Sequence, residues 1–194
     1  MTHYIFDCDD VLLDWQTGFT TYLADRGIDL DPAGPQSWDL SKWIGCSDEA
    51  ARSWVARFNG SASFGKLAAM PGARDVVWAL RDAGHTVSVL TACGDAVGIP
   101  RMRVQNLVTA FGSDTFRSIT ILDLGGSKFD ALVRAATCYG ENIVFIEDNF
   151  QHAQAGVLSG IKSYCLRRSH NRRCEIENPT SDVIWIDDLR EILS

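Results

Sequence analysis

Short apolar runs alternate along the chain with longer segments of helical spacing. The runs are rich in β-branched and aromatic side chains, which favours strands over helices, and they lie at residues 4–6, 86–90, 118–122, 143–146, 162–166 and 183–186. Segments with helical periodicity separate several of these runs, at 72–83, 104–111 and 129–136. Strands that alternate with helices predict an α/β fold, with a Rossmann-like parallel sheet and helices on both faces.

The apolar spacing also predicts which face of two helices is buried. On one helix, an i, i+3, i+4, i+7 pattern brings together Val104, Leu107, Val108 and Phe111. On the next helix, the same pattern brings together Phe129, Leu132, Val133 and Ala136. We therefore expect these two sets of side chains to pack inward.

Two segments depart from the alternation. From about residue 15 to residue 69 the chain has helical patterns but no convincing strand, and this segment contains Trp15, Trp38, Trp43 and Trp54. We interpret it as a helical insertion after the first strand, so that residues 1–14 and 70–194 form the α/β core domain and residues 15–69 a second domain. Near the C-terminus, residues 166–182 have the character of a long loop.

The composition is that of a globular, acidic protein. Of 194 residues, 46% are hydrophobic and 22% are charged, which is typical of a folded chain rather than a disordered one. With 18 basic and 25 acidic residues the net charge is -7, which argues against a nucleic acid polymer or an anionic membrane as the main partner. A run of about 18 apolar residues, which a membrane span needs, is absent.

The cysteines indicate the compartment. The six of them form neither a CxxC pair nor a tight cluster with histidine, so a zinc site is not indicated. Reduced thiols of a cytoplasmic protein are the simplest interpretation. The N-terminal residues lack the positive and apolar regions of a signal peptide, which agrees with a cytoplasmic location.

Polar residues follow four of the predicted strands. In chain order they are Asp7, Asp9 and Asp10, then Thr91, then Lys128 one loop after the third strand, then Glu147 and Asp148. Taken singly, each is more consistent with a cap or a solvated loop than with a site. Because the carboxyl ends of parallel strands meet at one edge of a sheet, where ligands bind, we expect the whole set to lie together.

These residues also resemble sequence motifs of the haloacid dehalogenase superfamily. Residues 6–12, Phe-Asp-Cys-Asp-Asp-Val-Leu, resemble its first motif, and Leu90-Thr91 is similar to its second. Lys128 fits the third motif, and residues 146–149, Ile-Glu-Asp-Asn, fit the acidic pair of the fourth. Asp10 departs from the glycine of many members. The resemblance covers residues 4 to about 166 and implies a phosphatase-like core.

The resemblance implies a role for each motif residue in hydrolysis of a phosphomonoester. Asp7 would be the nucleophile that forms an aspartyl phosphate, and Asp9 the general acid and base. Mg²⁺ would be held by Asp7, by Asp148 and by the backbone carbonyl of Asp9, with Glu147 as a direct or water-mediated ligand. The phosphoryl group would be bound by Thr91, by Lys128 and by the backbone amides of Cys8 and Ala92.

The insertion occupies the position of the superfamily's cap, which closes over the site and selects the substrate. Its tryptophans and Phe64 are candidates to stack a base or sugar, or else to form the core of the cap. The pattern Phe64-Gly65-Lys66 before Pro71-Gly72 is similar to deoxyribonucleotidases of the superfamily, so a nucleoside monophosphate is one candidate substrate.

Several alternatives stay open at this point. A phosphomutase or a phosphonate hydrolase would use the same core, and the latter would need a cap lysine, for which Lys42 and Lys66 are candidates. A dehalogenase needs no metal, so Asp9 and Asp148 count against it. A catalytically silent binding protein gains nothing from clustered like charges.

Two features have two interpretations each. His152 is either a site residue or a surface histidine. The arginines of residues 167–173 bind either a second phosphate or only solvent. The oligomeric state is open.

Overall fold

The chain folds around one parallel sheet, as the computed structural model shows for residues 1–140 and 142–193. The strands are β1 (His3–Phe6), β2 (Thr86–Thr91), β3 (Ile119–Ile121), β4 (Ile143–Glu147), β5 (Lys162–Leu166) and β6 (Ile184–Ile186). Their spatial order is β3-β2-β1-β4-β5-β6, and every neighbouring pair is parallel. This confirms the predicted α/β fold and places all six strands within one residue of the predicted runs.

Three helices lie at the predicted segments, although the second begins five residues before its predicted pattern and the third ends three residues after its own. The core carries α4 (Ala73–Asp82), α5 (Ile99–Phe111), α6 (Phe129–Tyr139), α7 (Phe150–Leu158) and α8 (Arg172–Glu177), with a 3-10 helix at Leu189–Leu193. The insertion carries α1 (Trp15–Ala24), α2 (Leu40–Ile44) and α3 (Asp48–Asn59), with a 3-10 helix at Phe64–Lys66. None of these helices is long and apolar enough to cross a membrane.

Alternate residues of each central strand point to opposite faces of the sheet. Phe6 of β1 and Ile146 of β4 pack into the larger core on one face, while Ile5 and Phe145 pack into a second core on the other. Gly156 of α7 allows that helix to approach closely, because a Cβ there would lie 2.2 Å from Oγ of Ser163 on β5. The central strands are thus buried from both sides, and their carboxyl ends are held rigidly.

The predicted inner face of α5 is wrong in part. Leu107 and Phe111 are buried as expected, but Val104 is 38% exposed, and the helix turns Arg103 and Asn106 inward instead. Asn106 accepts a hydrogen bond from the backbone amide of Leu67 at 3.0 Å and donates one to its carbonyl oxygen at 2.9 Å. These polar contacts explain why Asn106 is buried, and the apolar periodicity of the sequence does not reveal them.

Two further predictions of the sequence need correction. On α6 only Leu132 of the predicted set is fully buried, since Phe129 and Val133 are each 39% exposed. The segment 166–182 is not a loop throughout, because α8 lies within it and Glu175 of that helix pairs with Arg167 at 2.7 Å.

Candidate active site

The candidate site lies where the strand order reverses. Neighbouring strands β1 and β4 run side by side, although the chain leaves them towards opposite edges of the sheet. Such a switch point opens a crevice at the carboxyl ends of the strands. Asp7 directly follows β1, and its amide donates to the carbonyl oxygen of Ile146 at 2.8 Å. Glu147 ends β4 and Asp148 follows it, so the topology itself brings these three carboxylates together.

The three carboxylates are close enough to bind one ion. Asp7, Glu147 and Asp148 are all buried, and each offers an oxygen atom within 4.8 Å of the other two. The ammonium of Lys128, also buried, donates to Oδ1 of Asp7 and to Oε2 of Glu147, the latter at 2.6 Å. Lys128 directly precedes α6, which explains how a residue distant in sequence reaches the ends of β1 and β4.

The charges of the site are not balanced by Lys128. Burial and the neighbouring Glu147 raise the pKa of Asp7 well above its ordinary value, although Lys128 opposes them. Burial also acts to raise the pKa of Glu147, but Lys128 and His152 outweigh it and lower that pKa. For Lys128, burial acts to lower the pKa, and the two carboxylates raise it by more. The pocket therefore favours an additional cation.

The donor set fits a hard divalent cation. Mg²⁺ prefers oxygen ligands, commonly from one or two carboxylates with water and a substrate phosphate. Asp7, Glu147 and Asp148 supply carboxylate oxygens at a spacing that one ion can bridge, and a raised pKa at Asp7 is the expected consequence of leaving that charge without a cation.

A cavity of about 740 Å³ opens above these carboxylates. Its core wall includes Thr91 and Ala92 at the end of β2, together with Asp9, Asp10 and Lys128. The side chain of Cys8 does not line it, because that residue is buried in the core, where burial raises the pKa of its thiol. The structure therefore brings the sequence-predicted residues to one place, with only the backbone of Cys8 left as a candidate.

The opposite wall of the cavity comes from the helical insertion. Trp15 and Trp38 line the cavity, as does Arg52 of α3. Trp43 and Trp54 pack against the large apolar core without lining the cavity, Trp15 does both, and Phe64 is buried within that core. The aromatic residues thus divide between the two interpretations that the sequence left open.

His152 faces the site rather than the surface. Its Nδ1 lies 3.8 Å from Oε1 of Glu147, and the residue lines the cavity. Asn149, which the fourth motif includes, caps α7, because its Oδ1 accepts from the backbone amide of Gln151 at 2.9 Å. The backbone amide of Asn149 donates to Oε1 of Glu147 at 3.1 Å. The first turn of α7 therefore fixes the orientation of Glu147.

The segment after β5 reaches the site, which the sequence did not indicate. Nε2 of His170 lies 3.2 Å from Oδ2 of Asp148, and Nδ2 of Asn171 donates to the carbonyl oxygen of Asp148 at 2.7 Å. Arg168 donates to the carbonyl oxygen of Asp10 at 2.6 Å, so this arginine is not simply solvated. For His170 and Asn171 the only signal in the sequence is their position just beyond the end of β5, whereas Arg168 belongs to the arginine cluster that the sequence indicated.

Asp10 has an unusual backbone conformation. Its backbone has a φ of 56°, the only positive φ among the described residues other than glycine. Aspartate tolerates this left-handed region better than most residues because its short side chain can bond locally. Here Oδ1 of Asp10 accepts from the amide of Gln16 at 2.9 Å, which also holds the start of α1.

Solved structures share this architecture. A haloacid dehalogenase-like family hydrolase from Streptococcus pneumoniae has a TM-score of 0.70 and 16% identity, over 100% of this chain and 97% of that chain. The fold is that of the haloacid dehalogenase superfamily. A phosphatase-like member of that fold, described as a predicted phosphatase from Clostridium acetobutylicum, has a TM-score of 0.69 and 16% identity, over 98% and 95% of the two chains.

A third structure with the haloacid dehalogenase fold contains phosphate. CbbY from Rhodobacter sphaeroides, in complex with phosphate, has a TM-score of 0.62 and 17% identity, over 99% of this chain and 96% of that chain. No family model and no curated protein sequence matches this chain. At such identities the likeness establishes the haloacid dehalogenase fold alone.

The charge balance of the site predicts a pH-dependent effect of Lys128→Met. Without the ammonium, Asp7 and Glu147 face each other unpaired, and their pKa values rise. An acid whose pKa is raised by folding destabilises the native state increasingly as pH rises through that range. In a metal-free buffer we expect Lys128→Met to lower the free energy of unfolding by about 3–5 kcal/mol at pH 8, as for other broken buried ion pairs. At pH 5 we expect a smaller decrease.

Thermal unfolding of the variant and of the wild type at both pH values measures this difference. The matched control is Lys162→Met, which removes an exposed lysine of β5 and should leave stability nearly unchanged at either pH. Equal destabilisation of Lys128→Met at pH 5 and pH 8 would contradict the proposed charge balance.

Proposed function

We propose that this protein is a Mg²⁺-dependent phosphatase that hydrolyses a small phosphomonoester through an aspartyl phosphate on Asp7. The observation that carries the proposal is the surroundings of Asp7. Its carboxylate lies at the end of β1, against Lys128 and beside Glu147 and Asp148, and it lines the cavity. A carboxylate nucleophile needs positive charge beside it before it can approach an anionic ester.

The ion would be held by the acidic end of the sheet. Asp7 and Asp148 would bind it through side-chain oxygens and Asp9 through its backbone carbonyl, while Glu147 would act directly or through water. Bound Mg²⁺ would supply positive charge that offsets the carboxylates and the phosphoryl oxygens. His170 and Asn171 would orient Asp148, since both contact it from the side of β5.

The reaction would divide into two displacements at phosphorus. In the first, an oxygen of Asp7 bonds to phosphorus, the ester P–O bond breaks, and Asp9 gives its proton to the leaving alkoxide. In the second, Asp9 takes a proton from water, the water oxygen bonds to phosphorus, and the aspartyl P–O bond breaks to release phosphate. Asp9 returns to its starting protonation state, so the cycle balances.

The phosphoryl group would be held by strand ends and by Lys128. The hydroxyl of Thr91 and the backbone amide of Ala92 lie at the end of β2, where both residues line the cavity. The backbone amide of Cys8, directly after Asp7, would complete the group of donors. Phosphate in the solved structure of CbbY is a property of that protein and supports this part of the proposal by analogy.

The helical insertion would act as the cap. We propose residues 1–14 and 70–194 as the core domain and residues 15–69 as a cap that selects the substrate. Trp15, Trp38 and Arg52 face the cavity from the insertion, so they are positioned to contact the part of the substrate beyond the phosphoryl group. Two aromatic side chains there support a nucleoside monophosphate as one substrate to test.

Phosphonate hydrolysis finds less support in the site. That reaction would need a lysine at the cavity, but Lys42 is exposed and paired with Asp39 at 3.1 Å, and Lys66 is exposed as well. Neither lysine lines the cavity. A phosphomutase would use the same core residues and would be recognised by transfer of the phosphoryl group to a second sugar hydroxyl. We also propose a cytoplasmic location, which suits the six free thiols.

Asp7→Asn tests the nucleophile. The amide has the same shape but cannot form the acyl phosphate, so we expect hydrolysis of phosphate esters to fall by at least about a thousandfold while the fold is kept. Chelation of divalent cations should abolish wild-type activity, and added Mg²⁺ should restore it. Phosphate release from a panel of nucleotides, phosphosugars and phosphoglycolate is the measurement.

The control for this change is Asp130→Asn, at an exposed position of α6 outside the cavity, which should retain full activity. Undiminished turnover by Asp7→Asn would refute the assignment of Asp7. Failure of the wild type to release phosphate from any ester, together with failure to bind Mg²⁺, would favour a silent binding protein.

The cap proposal predicts that Arg52→Ala changes substrate preference rather than chemistry. Arg52 and Arg57 are both exposed residues of α3, but only Arg52 lines the cavity. We expect Arg52→Ala to lower kcat/KM for the best natural ester by about tenfold, typical of one lost charge-assisted contact, with little change for p-nitrophenyl phosphate. Arg57→Ala should change neither value. Equal effects of the two variants would argue against a cap that contacts substrate.

A further inference from the structure

An arginine lies completely buried beneath the candidate site. Arg103 of α5 has 0% exposure and its Nη2 donates to Oδ1 of Asp9, forming an ion pair. Its other nitrogens, Nε and Nη1, are buried without a hydrogen bond of normal geometry among the described residues, and the thiol of Cys93, a weak acceptor, is a polar neighbour of the guanidinium. A guanidinium is expensive to bury, and unsatisfied donors add to that cost.

This cost argues against a purely stabilising role for Arg103. Replacing a buried ion pair by well-packed apolar groups is often neutral or favourable for stability. An apolar residue is available next to this position, because Val104 directly follows Arg103 and is 38% exposed. A different rotation of α5 would bury Val104 in place of the arginine. The inward orientation of Arg103 therefore points to a requirement at its partner, Asp9.

The position of Arg103 is fixed from several sides. The guanidinium carbon lies 4.1 Å from the centre of the Phe64 ring, a cation–π contact at the end of the insertion. One turn along α5, Asn106 binds the backbone of Leu67 through both its amide nitrogen and its amide oxygen. These contacts hold the guanidinium plane in one place relative to the end of the insertion.

Asp9 itself is only partly enclosed. Its side chain is 25% exposed and lines the cavity, so one side faces Arg103 and the other faces the space for substrate. Arg103 binds Oδ1, and Oδ2 accepts no hydrogen bond from the residues that the structure describes. Because Oδ1 is bound, the direction in which Oδ2 of the same carboxylate points is fixed.

We propose that Arg103 is the positioning residue for Asp9, holding Oδ1 so that Oδ2 is directed at the oxygen of the leaving group. The inference rests on the proposed phosphatase function and adds to it a residue outside the four motifs. Proton transfer requires the acid within hydrogen-bond reach of the leaving oxygen, so a freely rotating carboxylate transfers its proton less effectively. Arg103 neither lines the cavity nor contacts substrate, and it acts only through Asp9.

A pair of esters that differ in their need for a proton tests this role. Phenyl phosphate and p-nitrophenyl phosphate have similar shapes, but phenolate is a stronger base than p-nitrophenolate and needs the acid more. The rate of phenol release in the first turnover reports the step in which Asp9 donates. For Arg103→Met we expect this first-turnover rate to fall by about tenfold to a hundredfold with phenyl phosphate, which is part of what a general acid contributes. With p-nitrophenyl phosphate we expect the rate to fall by less than about threefold.

Three further readouts separate positioning from a structural role. The KM values and the midpoint of Mg²⁺ activation should stay unchanged in Arg103→Met. Arg103→Lys, which keeps the charge without the planar fork, should recover part of the lost rate. In the Asp9→Asn background, Arg103→Met should cause no further loss, because the residue it acts through is already gone. Arg101→Met, at an exposed position of the same helix, is the matched control.

The possible results distinguish this inference from the proposed function. If the wild type hydrolyses neither ester, the phosphatase proposal fails. If the wild type hydrolyses both and Arg103→Met loses rate equally on both, or on neither, then only the positioning role is refuted. Should Arg103→Met fail to fold, Arg103→Lys decides by the same comparison, since a selective loss on phenyl phosphate supports the role and an unselective one overturns it.

Discussion

Three buried carboxylates that meet at the ends of two adjacent strands are the constraint on which the rest of this site depends. Asp7, Glu147 and Asp148 repel one another in a region that water screens poorly, so each requires a partner. Lys128 reaches two of them from the start of α6, and His170 reaches the third from the segment after β5. Even so, burial and the neighbouring Glu147 raise the pKa of Asp7 despite Lys128, and the three carboxylates lie close enough together to bind a divalent cation.

The sheet topology converts that constraint into a reactive site. Because the strand order reverses between β1 and β4, the ends of these strands lie beside each other while the connecting segments diverge. The crevice between those segments is where the helical insertion and the core enclose the cavity. In the proposed function, a charged ester would approach Asp7 from the open side, while Lys128 binds its carboxylate and β4 binds its backbone amide.

Much of this could be predicted from the sequence, because strand ends and motif residues are local signals. The run 4–6, followed by Asp7, and the run 143–146, followed by Glu147 and Asp148, indicated both the sheet and its functional edge. Contacts that depend on tertiary packing could not be predicted. In the sequence, Arg103 lies next to the apolar Val104 and would be expected to face solvent. The rotation of α5 that buries Arg103 instead accompanies the hydrogen bonds between Asn106 and the backbone of Leu67. His170 likewise has no motif around it.

A structure with a phosphoryl mimic bound would test the central claim most directly. Crystals grown with Mn²⁺ in place of Mg²⁺ and with beryllium fluoride would locate the metal by its anomalous signal and the nucleophile by its bond to beryllium. The account predicts one Mn²⁺ between the carboxylates of Asp7 and Asp148, with beryllium bonded to an oxygen of Asp7. Mn²⁺ bound away from both residues, or beryllium fluoride absent from Asp7 in the presence of bound metal, would contradict it.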